Sequence, residues 1–149
     1  MVNIVVYVSF GSIVTFVQEQ MEEVACYSRE FSSYFLWVVK ASEEIKLPMR
    51  KEQKRAVGCF VIHCGWNSIL QTLCLGVPII GIPCWSDQRT NAKLIADVWK
   101  IGIRTPIDEK NIVRQEALKH CIKEIMDGDK EMKTNVIQWR TLAIYKSYQ

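Results

Sequence analysis

Short apolar runs that end at glycine or proline alternate along this chain with stretches of helical periodicity, and that alternation limits its fold more than any other feature. Parallel strands need a crossover of a dozen or more residues, usually a helix, and strands covered on both faces read as continuous apolar runs. Ile4 to Ser9, Tyr34 to Val39, Gly58 to Ile62 and Val77 to Ile82 read as such strands. Thr15 and Gln18 form a capping-box pattern, after which Val17, Met21, Val24 and Ala25 fall on one helical face. A helix over Ile69 to Leu75 follows the turn at Cys64 to Ser68 and stops at Gly76, and Asp87 opens another that runs toward Asp97. Helices then fill the tail. Ala117, Leu118, Cys121, Ile122, Ile125 and Met126 make one apolar face, stopped by Asp127-Gly128, and a last helix runs from about Lys130 to Tyr145. The pattern predicts an α/β domain with a doubly wound, Rossmann-like parallel sheet.

The 149 residues fit one domain, taken as 1–149, and 49% hydrophobic against 23% charged residues excludes a disordered tail. A net charge of +3, with the cations scattered among acids, gives no nucleic-acid stripe. Ile4 to Val17 lacks a basic flank and contains Ser9, Gly11, Ser12 and Thr15, so it reads as strand and turn rather than a membrane or signal segment. The six cysteines form no CxxC pair and most sit in apolar runs, where they are read as core residues of a protein in the reducing cytoplasm. His63 and His120 are too far apart for a local metal cluster, and no metal is expected.

Ligands of open parallel sheets bind beyond the carboxyl ends of the strands. Two strand-to-helix turns stand out, Phe10-Gly11-Ser12 and His63-Cys64-Gly65-Trp66-Asn67-Ser68, where free backbone N–H groups and a helix dipole favour a phosphate. Neither turn fits the GxxxxGK[ST] or GxGxxG pattern. Each of these residues also has a structural role open to it. His63 could be a satisfied core histidine, Trp66 a packed aromatic and Asp87 a helix cap; Asn67 and Ser68 are N-cap types, and Ser68 with Gln71 is a second capping box. Lys51, Lys54 and Arg55 read as a solvated loop.

The run from Ala56 to Ile95, AVGCFVIHCGWNSILQTLCLGVPIIGIPCWSDQRTNAKLI, closely resembles the signature box of plant family-1 UDP-glycosyltransferases. VVYVSFGS, EQMEEVA and YFLWVVK upstream, with DVWKIGIR and IVRQEALKHCIKEIM downstream, extend the resemblance over nearly the whole chain. It implies the C-terminal, UDP-sugar-binding half of a two-domain GT-B-type hexosyltransferase, whose acceptor domain comes first. Carried over residue by residue, it implies that His63, Trp66, Asn67 and Ser68 contact the diphosphate, with Ser12 approaching from the other loop, and that Asp87 and Gln88 hold the sugar hydroxyls. Gln88 is the type associated with glucose, which implies UDP-glucose as donor, with no cofactor.

Two departures from the family pattern accompany the match. A segment with Trp-x-Pro-Gln, whose Trp stacks on uracil, is implied before the Ala56 strand, yet Leu47-Pro48 passes to Ala56 through Met49 to Arg55 alone, an internal deletion near 48–56. Gln71 stands where the resemblance implies a glutamate that accepts from both ribose hydroxyls. The resemblance also assigns the histidine base and its aspartate partner to the acceptor domain, so no catalytic residue is expected in this chain, and a small lipophilic acceptor would bind only with that domain present. Two expectations follow: the donor-binding half of a glucosyltransferase for small plant metabolites, or a catalytically silent remnant with weak or no UDP binding that serves as an interaction module.

Overall fold

The computed structural model describes residues 5–11, 15–30, 34–38 and 56–146. Five strands, β1 (Val5–Ser9), β2 (Tyr34–Val38), β3 (Val57–Ile62), β4 (Ile79–Gly81) and β5 (Gly102–Arg104), form one sheet in the order β2-β1-β3-β4-β5. Every pairing in it is parallel. The interleaved helices are α1 (Gln18–Glu30), α2 (Trp66–Leu75), α3 (Gln88–Lys93), α4 (Gln115–Asp127) and α5 (Lys130–Lys146), with α3 continuing as a π-helical turn over Leu94–Val98. Crossovers between parallel strands are right-handed. The step from β1 through α1 to β2 goes one way along the sheet and that from β3 through α2 to β4 the other, so α1 and α2 cover opposite faces. α4 packs beside α1 and α5 beside α2, which completes the doubly wound sandwich expected from the sequence.

The core lies on both faces of the central strands. Val6, Val8, Cys59, Val61, Ile62, Ile79 and Ile80 are buried from the sheet, Val24 and Ala25 from α1, Ile69 and Leu73 from α2, and Leu118, Cys121, Ile122 and Ile125 from α4. A fully buried Ile or Leu side chain contributes roughly 1.5–3 kcal/mol. Gln20, buried on α1, donates from Nε2 to the Val113 carbonyl at 2.9 Å and accepts the Val113 N–H at 2.8 Å, clamping α1 to the segment before α4. Arg114 reinforces that seam, reaching Glu19 and Glu23 at 2.9 Å and also bonding Asp108. Its guanidinium holds the Glu23 carboxyl below the usual range, helped by the Gln115 N–H.

Several local expectations need correction. α1 starts at Gln18, whose Nε2 donates forward to Glu22 at 2.8 Å, so Gln18 is not directed back toward Thr15 as a capping box requires, and Val17 is exposed. α2 starts at Trp66 with Gly65 at its N-cap and no side-chain cap; Asn67 and Ser68 are its second and third residues, so the Ser68–Gln71 capping box does not form. Asp87 does sit at the N-cap of α3 but makes no capping bond, accepting from Asn91 instead. β5 was not anticipated, because three residues are too few to show a period. Of the cysteines, Cys59, Cys64 and Cys121 are core, Cys84 is half-buried, and Cys26 and Cys74 are exposed. Gly76 and Gly128, both left-handed, end α2 and α4 as expected. The loop from Lys40 to Arg55, with Lys51 and Lys54, lies outside the described residues.

Candidate functional site

The strand order reverses between β1 and β3, since the chain leaves β1 toward β2 and returns to β3 on the other side. In an open α/β sheet this switch point opens a crevice at the carboxyl ends of the two strands. Gly11 follows β1 there, and His63, Cys64 and Gly65 follow β3. The His63 imidazole is seated between the two loops. A Cβ added at Gly11 would stand 2.7 Å from its Cε1, and one added at Gly65 would overlap its Nε2. Only glycines leave room for a ring so placed, and Gly11 also takes φ +69°.

His63 is 8% exposed, and its Nδ1 has no partner at hydrogen-bonding geometry. Burial lowers its pKa below the ordinary histidine value, opposed by the nearby Ser9 backbone and the charge of Asp87. A neutral imidazole with an unpartnered ring nitrogen is therefore held at the mouth of the crevice near neutral pH. Cys64 behind it is buried, its thiol pushed up to about 12 by desolvation, so it is an inert neutral thiol.

α2 begins immediately beyond. Its first turn has no side-chain cap and no acid, so the positive end of the helix dipole is left unneutralised. The first intrahelical bond in the turn is donated by Ile69 to the Gly65 carbonyl, at 3.1 Å, which leaves the N–H groups of Trp66, Asn67 and Ser68 ahead of the ladder. Trp66 is 49% exposed, its ring 6.3 Å from that of Trp99, so its packing is partial. Asn67 is exposed and Ser68 half-buried. Gln71 is exposed in the following turn of α2.

The loop after β4 is tied to this turn by Asn91. Its Nδ2 donates to the Cys64 carbonyl and to Asp87 Oδ2, both at 3.0 Å, bringing Asp87 beside the His63–Ser68 loop. Gln88 is buried, and its Oε1 accepts the N–H groups of Cys84 at 2.9 Å and Trp85 at 3.2 Å, so its NH2 end is the part left for a ligand. Cys64 and Ser86, one in each loop, take left-handed φ values of 64° and 56°. Side chains other than glycine adopt that region at a cost of about 1–2 kcal/mol, and such strain concentrates at functional loops. Asn91 was missed in the sequence, although its spacing of four from Asp87 places it one helical turn away. Ser12 lies outside the described residues. His120, on α4, is exposed and belongs to no part of the crevice.

The family profile described as UDP-glucoronosyl and UDP-glucosyl transferase matches residues 53–146. The chain belongs to that family. It is 44% identical to a flavonol 7-O-beta-glucosyltransferase of Arabidopsis thaliana, over 94% of this chain and 36% of the relative. It is 40% identical to crocetin glucosyltransferase 2 of Crocus sativus, over 95% of this chain and 35% of the relative. It therefore spans about a third of the length of such relatives. The first alignment runs to 163 positions against 149 residues here, so the relative carries residues within the aligned stretch that this chain lacks. Among solved structures, Os79 from O. sativa in complex with UDP superimposes with a TM-score of 0.84 at 32% identity, covering 96% of this chain and 36% of that one. As in those neighbours, the fold is the α/β half of a GT-B glycosyltransferase.

Proposed function

We propose that the chain is a UDP-sugar-binding domain whose donor, UDP-glucose, lies across the switch-point crevice. What carries this reading is the pairing of an uncapped, acid-free α2 N-terminus with the buried imidazole of His63 beside it, whose Nδ1 has no partner at hydrogen-bonding geometry. The diphosphate would take the N–H groups of Trp66 to Ser68 and a proton on His63, with Ser12 approaching from the β1 loop. Asp87 supplies acceptors and the NH2 end of Gln88 supplies donors for the sugar hydroxyls, a complementary pair. Gln71 would lie under the ribose. The helix end provides the positive field for the diphosphate and His63 a ring N–H, and no metal or cofactor is called for. We place the residues present in relatives but lacking here near 48–56, where the resemblance implies the uracil platform. Loss of one stacked aromatic weakens binding by about 1–3 kcal/mol, or ~5- to 100-fold.

Transfer to a small lipophilic acceptor would require a general base from an acceptor domain, so this chain alone should give no protein-dependent glucosyl transfer. No described helix is long and apolar enough to cross a membrane. We place the protein in the cytoplasm on the strength of its unpaired thiols, and a tagged chain found in the secretory pathway would overturn that placement. Calorimetric titration with UDP and UMP tests the donor site. Saturable UDP binding, weaker for UMP and at least ~10-fold weaker in His63→Ala, is expected. Equal affinity for UDP and UMP would show that the second phosphate is not held.

A further inference from the structure

Asn91 stands outside the set of ligand contacts proposed above, yet its side-chain amide meets both loops of the crevice. It is buried on α3, 8% exposed, and a buried NH2 group has to place both of its protons. One goes to the Cys64 carbonyl and the other to Asp87 Oδ2, both at 3.0 Å. The two acceptors differ in kind. Cys64 takes its left-handed φ of 64° immediately before Gly65, the N-cap of α2, so its carbonyl belongs to the backbone that leads into the free N–H groups of that helix. A trans peptide keeps its C=O and N–H on opposite sides, so fixing this carbonyl also fixes the direction of the Gly65 N–H. Asp87 is exposed at the N-cap of α3, where a carboxylate ordinarily turns back onto the N–H groups of its own helix, and it makes no such bond. Its Oδ2 is held by Asn91 instead, and its Oδ1 accepts no hydrogen bond among the described residues. Gln88 is arranged in the same way, with Oε1 committed to the Cys84 and Trp85 N–H groups and its NH2 left over.

We infer that Asn91 is the positioning residue of the donor sugar. By holding Asp87 Oδ2 at a fixed distance from the Cys64 carbonyl, it leaves Oδ1 as the oxygen offered to a sugar hydroxyl and sets the separation between that carboxylate and the diphosphate loop. Asn91 itself touches no part of the ligand. This role rests on the donor reading above, whereas the two bonds that suggest it do not.

The test is calorimetric titration of the full chain with UDP-glucose and with UDP, read as the ratio of the two affinities, for the wild type, Asp87→Ala, Asn91→Leu and the double variant. Leucine keeps the branched shape of asparagine and removes both donors. Asp87→Ala should lower the ratio at least ~5-fold, Asn91→Leu by a similar factor and the double variant no further, because a carboxylate without its guide has little left to lose. A clamp that only supports the fold would weaken UDP and UDP-glucose alike and leave the ratio where it was, and additive losses would mean that the two residues act separately; either result overturns the proposal. Asp87→Asn gives a second test that leaves Asn91 in place. The Asn91 NH2 group requires an oxygen, so the new amide must give its Oδ1 to Asn91 and turn its own NH2 on the sugar, lowering the ratio at least as far as Asp87→Ala does. A ratio near the wild-type value would show that the group at position 87 rotates freely, and would overturn the proposal. The donor reading fails separately, without any change at Asn91: no saturable UDP binding by the wild type, or an unaltered ratio in Asp87→Ala, would remove the donor site itself and this role with it.

Discussion

Gly65→Ala isolates the seat of His63, because Gly65 has an ordinary φ of −69° and the substitution adds only a methyl group. That Cβ would overlap Nε2 of the imidazole and stand 2.9 Å from Cε1, so the ring must leave its place between the two loops. Overpacking of this kind costs about 1–3 kcal/mol. In a His63→Ala background the obstacle is gone, and alanine in place of glycine lowers the entropy of the unfolded chain, a gain of about 0.4–1 kcal/mol. The two substitutions should therefore couple by at least ~1.5 kcal/mol. Urea unfolding followed by tryptophan fluorescence resolves this, since with a slope of about 2 kcal/mol per molar a 2 kcal/mol loss moves the midpoint by ~1 M. Equal cost of Gly65→Ala in both backgrounds would refute the seating of His63 between Gly11 and Gly65.

Other consequences are open to measurement. The folded pKa of His63 lies below its unfolded value, so the unfolded chain binds more protons in that window; stability is full above pH ~6.5 and falls as pH drops, by up to about 1.4 kcal/mol per unit, and His63→Gln should remove this slope. Gln20→Leu leaves both Val113 backbone groups buried without partners and should cost at least ~2 kcal/mol in chemical denaturation; a loss under 1 kcal/mol would mean that water replaces the amide. Gln71→Glu should tighten UDP about 5-fold, as a carboxylate accepts from two ribose hydroxyls, and equal or weaker binding would remove Gln71 from the site. Edge strand β2 exposes Leu36 at 53% and Val38 at 48%, so the chain should self-associate with rising concentration and Leu36→Lys should suppress it; a monomer at high concentration by sedimentation would contradict this.

Strand and helix order was legible because buried parallel strands read as short continuous apolar runs and amphipathic helices as a 3.6-residue period, as in Gly58 to Ile62 and the α4 face. Capping was less legible. Asn67 and Ser68 have the side chains of N-cap residues, but after the left-handed turn at Cys64 the N-cap of α2 is Gly65, two residues before Asn67 and three before Ser68. That shift leaves the N-terminus uncapped, a favourable state for an anion site and a costly one for an isolated helix. The crevice itself depends on strand order, which no local pattern states: Gly11 and Gly65 lie far apart in sequence, and only the adjacency of β1 and β3 closes them on one imidazole. Asn91 escaped notice for the same reason, since its bond to the Cys64 carbonyl spans 27 residues.

The most direct test of the donor site is the pKa of His63 itself, measured by NMR of the imidazole resonances with and without UDP; the chain has only two histidines, so assignment is short. In the free chain His63 should titrate below 6.5. Saturating UDP should raise the His63 value above its free one, because the diphosphate favours the protonated ring. A His63 titration unmoved by UDP that is demonstrably bound would place the diphosphate elsewhere and contradict the switch-point site.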